Sequence, residues 1–506
     1  MSARDLDNSR PLDVHRWSDH PEVNSFVDDI WGRFDEKHLV WAKGGAGRKQ
    51  VASNKKQLKV LLLDLYLCWS EDRKQSLGIA LSRGAYKAGS RYNALHISPK
   101  MIDIVHALKD EGLIEWHKGT EGARKVTRIW PSRGLATRFG RAKFSVADII
   151  SHHNEECIVL NDKQPGDKGS KPMEYEDRDH PLIGKWRTDL QDYNDLLART
   201  FIDIGWLEKP WIIREKWNQR ERKIEKQKVR IDQNHKFVRR IFYRGSWKLG
   251  GRFHGGFWQG INEEQRKGIL IDDQRTIEVD YSGMHVSLAL ALEGKKPSGD
   301  PYELPQVLRG YTKEEQRKVT KLLVLTAINA KNLKTAFQAF RSAQDKGSKQ
   351  KTLKDKDLQR LLDHFVDKSP ALESYLGADK GVELMKLDGE ITAKIINRFT
   401  QKKIPILTVH DSYIVSIEHD TELIKQMDEA ASEVVESRIN LSYETTGPGI
   451  ARAIHLQDPK DLDTYTKYLN KVGQDSDEVV RSEGYRGRLR WWKDRESRDT
   501  PCSPPP

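Results

Sequence analysis

Ile277-Glu278-Val279-Asp280-Tyr281-Ser282 and Ile406-Leu407-Thr408-Val409-His410-Asp411-Ser412-Tyr413-Ile414-Val415 are the two stretches whose reading decides the fold. Each is a short apolar-edged strand carrying an aspartate, and the two aspartates stand 131 positions apart. Between them, Arg317-Lys318-Val319-Thr320-Lys321-Leu322-Leu323-Val324-Leu325-Thr326 has helical periodicity, with Arg317 and Lys321 one turn apart on one side. Leu325 and Asn329 continue that stripe. Two carboxylates suit divalent metal and two cations suit a triphosphate, provided folding brings them together.

The rest of the chain bounds what such a site can serve. At 506 residues it exceeds what one core usually organises, so two or three domains are expected. Lys and Arg number 87 against 75 acidic residues, a net charge of +12 that favours a polyanionic partner without naming it. A merely soluble basic protein is the alternative on charge alone. Cys68, Cys157 and Cys502 offer neither a disulfide framework nor paired zinc ligands, which points to a reduced, cytoplasmic setting. The adjacent His152, His153, Glu155, Glu156 and Cys157 lack a second ligand pair at zinc spacing. No apolar run is long enough for a membrane span, and residues 1–7 lack a secretory core.

Residues 1–52 read as a flexible arm with local helix around 21–34, ending in the basic glycine-rich stretch Lys43–Gln50. That stretch lacks the Gly-Lys-Ser/Thr ending of a phosphate-binding loop. A helix over 55–69 follows, then a second with Ser98 as N-cap and Pro99 as first helical residue, then strands at 113–117 and 125–130. Over 53–140 this order resembles a winged helix-turn-helix module. The resemblance implies DNA contact through Lys100 on the helix and through Lys118 and Arg124 on the wing; protein contact is the other use of such a fold. Residues 141–235 read as a connector with an amphipathic helix at 186–204 and a charged helix at 215–230, and 457–506 as a charged, partly disordered tail. The Arg and Trp residues at 486–493 can stack on single-stranded bases or act as a nonspecific basic tail.

The stretch 278–285 resembles motif A of family A DNA polymerases and phage-type single-subunit RNA polymerases. Residues 317–327 resemble their motif B, and Val409-His410-Asp411-Ser412 their motif C. The resemblance covers about residues 235–450 and is nearest to the divergent transposon and virus members. It implies an α+β right-hand polymerase with palm and fingers over 236–456, a thumb within 141–235, and the winged helix-turn-helix module before them. Asp280 and Asp411 are then the catalytic ligands of two Mg²⁺ ions, with the Tyr281 carbonyl as a further ligand. Arg317, Lys321, Leu325, Asn329 and His285 face the nucleotide; Arg252, in Trp247–Gly255, and His410 face primer and template. Asp300-Pro301-Tyr302 occupies a family position near the incoming nucleotide.

Two departures matter. Family A DNA polymerases carry a glutamate five residues after the motif A aspartate, where this chain has His285, and both groups usually carry a tyrosine twelve residues after the motif B arginine, where it has Asn329. The family's choice between deoxynucleotides and ribonucleotides therefore does not carry over. No carboxylate-rich exonuclease region precedes the palm, so no editing is expected.

The expectation is a template-directed DNA polymerase of a phage, plasmid or other mobile element. Its partners would be DNA template and primer, nucleoside triphosphates and other replication proteins. Its rivals are a DNA-dependent RNA polymerase or primase of the same superfamily, and a catalytically dead DNA-binding replication initiator.

Overall fold

The computed structural model describes residues 4–34, 48–119, 126–152, 154–162, 169–218, 223–295, 299–443 and 479–496. The chain is mixed α/β and divides into two compact units rather than five consecutive segments. The first comprises residues 1–156, 207–234 and 482–506, and the second 157–206 and 235–481. No helix among the described residues is long and apolar enough to cross a membrane.

In the first unit the Arg48–Glu71 helix buries Leu58, Val60, Leu61, Leu62, Leu63, Leu65 and Leu67. A four-stranded sheet runs in the order Asp5–Pro11, Gln75–Ile79, Thr127–Pro131, Ile114–His117. The Lys100–Asp110 helix starts one residue later than expected, with Ser98 Oγ accepting from the Lys100 N–H at 3.3 Å. It stops at Gly112, whose φ of +65° suits glycine at a helix end.

The arm reading is corrected over 4–20, while the local helix expected around 21–34 forms. Asp5–Pro11 pairs in parallel with Gln75–Ile79, and Pro21–Trp31 is a helix burying Val23, Val27 and Ile30. Ionic pairing explains why that strand looks polar in sequence: buried Arg10 meets Asp64 at 3.3 Å and Glu71 at 3.1 Å. The basic stretch 43–47 and Arg124 lie outside the described residues.

The charged helix at 215–230 is also corrected, and with it the helical thumb. Trp211–Asn218 and Lys223–Arg230 form an antiparallel pair. Glu215 opposes Lys226 across the ladder, their charged groups 3.8 Å apart, so charge alternation that mimics a helical face can serve cross-strand pairing. In the tail, Glu483–Glu496 is a helix that buries Tyr485 and Trp492.

The second unit is built on two sheets. A three-stranded sheet orders Ser246–Gly255, Val238–Tyr243 and Ile158–Leu160. A six-stranded sheet orders Ile406–Val409, Ser412–Ser416, Gln274–Tyr281, Ile269–Ile271 and Ile202–Ile204, with Leu441–Tyr443 added against Gln274–Tyr281. Ile183–Arg199 is the amphipathic helix, ending before the short Ile202–Ile204 strand rather than running to 204.

The period of two sorts the central strands. Ile277, Val279 and Tyr281 point to one face with their cross-strand partners Val415 and Tyr413, all buried. The helices Gly381–Gln401 and Asp420–Val435 cover that face, where Thr392 Oγ1 meets the Tyr413 hydroxyl at 2.8 Å and the Tyr281 hydroxyl donates to the Met427 carbonyl at 2.6 Å. Thr276, Glu278 and Asp280 point the other way, opposite Ser416, Ile414 and Ser412.

Candidate active site

Asp280 and Asp411 meet because the two strands that carry them are neighbours. Asp280 faces Ser412 in the ladder, and the Tyr281 N–H donates to the Asp411 carbonyl at 3.1 Å. His410 and Asp411 form the two-residue turn between Ile406–Val409 and Ser412–Ser416, with His410 at φ +59°. A non-glycine residue in that left-handed region is uncommon and strained. On the other side the Asp280 strand runs into Gly283, at φ +60°, and then the Met284–Leu292 helix.

Asp280, His410 and Asp411 line one cavity of about 280 Å³ together with Glu263, Arg266, Lys267, Thr276, Glu278, Val409, Ser412 and Ile414. Glu278 is already committed: Arg266 grips it at 2.8 and 2.9 Å, and Ser412 Oγ donates to it at 2.6 Å. Asp280 and Asp411 are the two lining carboxylates that the strand and its neighbouring turn bring side by side.

Among the described residues there is no group of three or more His, Cys, Asp or Glu side chains poised to hold a metal ion. The donor chemistry nevertheless fits magnesium, which is usually held by one or two carboxylates plus substrate phosphates rather than by an all-protein cage. Asp280, Asp411 and the Tyr281 carbonyl supply hard oxygen donors of that kind.

Arg252 does not line this cavity. Its strand carries a bulge, since Ile241 pairs with Arg252 and Phe242 with Gly250, leaving Gly251 extra. Gly250 and Gly251 adopt φ of +77° and +85°, and Gly389 of the Gly381–Gln401 helix packs onto the Gly251 carbonyl, where a Cβ would overlap it. The bulge delivers Arg252 Nε to Asp388 and Nη2 to His285 Nε2, the latter at 2.9 Å.

Burial, with the Arg252 charge second, lowers His285 to about 3, so its ring is neutral and accepts from Arg252. Burial raises Asp388 to about 6 against the pull of Arg252, and Asp411 adds to the rise. His410 is lowered by burial and by Arg252 despite Asp411. Its edge-on neighbour His254, with ring centroids 5.6 Å apart, is lowered to about 4 by burial, His410 and Arg252.

The cationic helix is Lys313–Asn329, started by a reciprocal cap between Thr312 and Glu315. Val319, Thr320, Leu323, Val324, Ala327 and Ile328 are buried, while Lys321 and Asn329 are exposed and Arg317 and Leu325 half-buried. Arg317 pairs with Asp300. Tyr302, two residues on, is buried with its ring against Gly283, and its hydroxyl is raised by burial and by the Asp300 and Asp411 charges against Arg317. The Tyr302 hydroxyl therefore feels the charges of both Asp411 and Arg317.

Leu325 and Asn329 line a different recess, of about 410 Å³, with Thr326, Ala330, Thr335 and Ala339. Lys100 and Lys118 belong to the first unit, where Lys100 pairs with Asp103 at 3.2 Å and Lys118 lies over the Trp116 ring.

Sequence reasoning missed Asp388, Glu278 and Arg266 as parts of the site. Asp388 had a signal: it is a lone carboxylate, followed by glycine, on the buried stripe Leu384, Ile391, Ile395 of its helix.

No family model matches the chain, and no curated protein matches it. Among solved structures it is similar to the POL domain of Pol1 from M. smegmatis, in a complex with DNA primer-template and dNTP. The identity is 11%, the match covers 54% of this chain and 53% of that chain, and the TM-score is 0.29. The match thus spans about half of that chain's length, and nothing about the present site rests on it.

Proposed function

We propose that the second unit is a template-directed nucleotidyltransferase, a DNA polymerase, whose reaction centre lies between Asp280 and Asp411. The observation that carries the reading is that Asp280, on the polar face of the sheet, and Asp411, in the turn beside it, line one cavity. Two Mg²⁺ ions held by Asp280, Asp411 and the Tyr281 carbonyl would supply charge neutralisation and a more acidic 3′-hydroxyl.

The chain's own residues do the placing. The strand register holds Asp280 beside the turn, and the Arg266–Glu278–Ser412 contacts fix the cavity wall. Arg317 and Lys321, one turn apart, are the candidates to bind phosphates, and Arg317 would exchange Asp300 for them. Arg252, fixed by Asp388 and His285, is the candidate primer or template contact, with His410 beside the primer terminus. Lys100 and Lys118 of the first unit are the candidate phosphate contacts of a winged helix-turn-helix module.

The test is primer extension on a DNA template with Mg²⁺, using each nucleotide type. Arg317→Ala and Lys321→Ala are expected to raise the nucleotide KM at least about tenfold while leaving DNA affinity within about twofold. Equal losses of nucleotide use and DNA affinity would contradict the phosphate role.

A further inference from the structure

The charged strands Trp211–Asn218 and Lys223–Arg230 form a two-stranded sheet, joined by no third strand among the described residues. Its base is tied into the first unit: the Lys228 N–H donates to Asn8 Oδ1 at 3.0 Å, and Lys228 Nζ reaches Asp72 Oδ2 at 2.8 Å. The Ile231 N–H closes onto the Pro210 carbonyl at 2.9 Å.

The ladder register separates two faces. Ile212, Arg214, Gln227 and Val229 share one, and Ile213, Glu215, Ile224 and Lys226 share the other with Lys228 and Arg230, which anchor its base to Asp72 and Glu71. Ile212 is buried, whereas Ile213 is 48% and Ile224 58% exposed. A two-stranded ribbon is marginal in isolation, and this one carries two exposed isoleucines on the face that continues from its anchored base.

Charge says what kind of partner suits it. The two strands hold six cations, at 214, 216, 223, 226, 228 and 230, against Glu215 and Glu225, and with Lys228 and Arg230 set aside as partners of Asp72 and Glu71 the remaining four still outnumber the two acids. Such a surplus suits a polyanion. A ribbon of two strands about 4.8 Å apart and about 27 Å long fits a major groove about 12 Å wide. There, aliphatic tips can meet thymine methyl groups while cations reach the flanking phosphates.

We propose that the ribbon formed by Trp211–Asn218 and Lys223–Arg230 is a groove-binding element for duplex DNA that seats its Ile213 and Ile224 face against the bases. It is distinct from the winged-helix contacts and from the carboxylate centre, and shares with the proposed function only the nucleic-acid partner.

The test is fluorescence anisotropy of the full chain with a short labelled DNA duplex across a salt series, without nucleotide or metal. The readout is therefore independent of whether the chain extends a primer. The variant Lys226→Glu, on the proposed contact face, is expected to bind several-fold more weakly and to lower the salt slope by about 1. Ile213→Ser with Ile224→Ser should weaken binding with the slope unchanged, and Lys226→Arg should bind as the parent does. Unchanged unfolding midpoints would show that the variants fold. Charge-reversal binding equal to the parent's would overturn the proposal, as would a parent chain that ignores duplex, or variants whose only change is loss of self-association in sedimentation.

Discussion

Tyr281 and Asp411 are joined by a backbone hydrogen bond, from the Tyr281 N–H to the Asp411 carbonyl at 3.1 Å. That bond sets the register in which Asp280 stands beside the turn that holds the second carboxylate. A slip of one residue would send Asp280 to the buried face and Val279 and Tyr281 out of it. Both of those side chains are fully buried, so apolar packing on one side of the sheet determines where the acids stand on the other.

Arg252→Ala is expected to destabilise the chain by roughly 3 kcal/mol at neutral pH, because it leaves the buried Asp388 carboxylate without its ion partner. Asp388 already lies at about 6, raised by burial against Arg252. Losing Arg252 raises it further, so the loss shrinks as pH falls towards about 6 and levels off below it, where parent and variant both hold a neutral carboxyl. Urea unfolding across pH checks this, and adding Asp388→Asn should remove the pH dependence of the difference.

His285→Gln tests the opposite sign. Burial and Arg252 hold His285 at about 3 against an ordinary 6.5, so the unfolded chain binds a proton that the native state excludes. The stabilisation is complete above about 6.5 and is lost as pH falls below it, at roughly 1.4 kcal/mol per pH unit. Unfolding midpoints between about pH 7 and pH 5 should therefore fall less steeply in His285→Gln than in the parent.

Gly389→Ala should cost about 2 kcal/mol or more, since the added methyl meets the Gly251 carbonyl at a helix-to-strand contact with no flexible side chain to yield. Thermal unfolding measures it. The bulge that aims Arg252 depends on the same contact, so the Arg252 to His285 bond is expected to loosen with it.

Much of this was legible in the chain. The strands around Asp280 and Asp411, the Arg317–Lys321 helix and the leucine-rich helix over 55–69 follow from periodicity, and all four form. Pairing of the two aspartate strands required a long-range register that period alone does not specify. The Asp5–Pro11 strand stayed hidden because buried ion pairs stand where alternating apolar side chains would be. The ribbon of Trp211–Asn218 and Lys223–Arg230 was hidden by a charge pattern that suits a helix face and a ladder equally. Asp388 needed its partner Arg252, 136 residues away, before a buried acid made sense.

Mg²⁺-dependent primer extension by the parent chain, Asp280→Ala and Asp411→Ala bears most directly on the carboxylate pair. The account predicts extension by the parent and a loss of at least about a thousandfold in each variant, with unfolding midpoints and duplex affinity nearly unchanged. Extension that survives either substitution would contradict it.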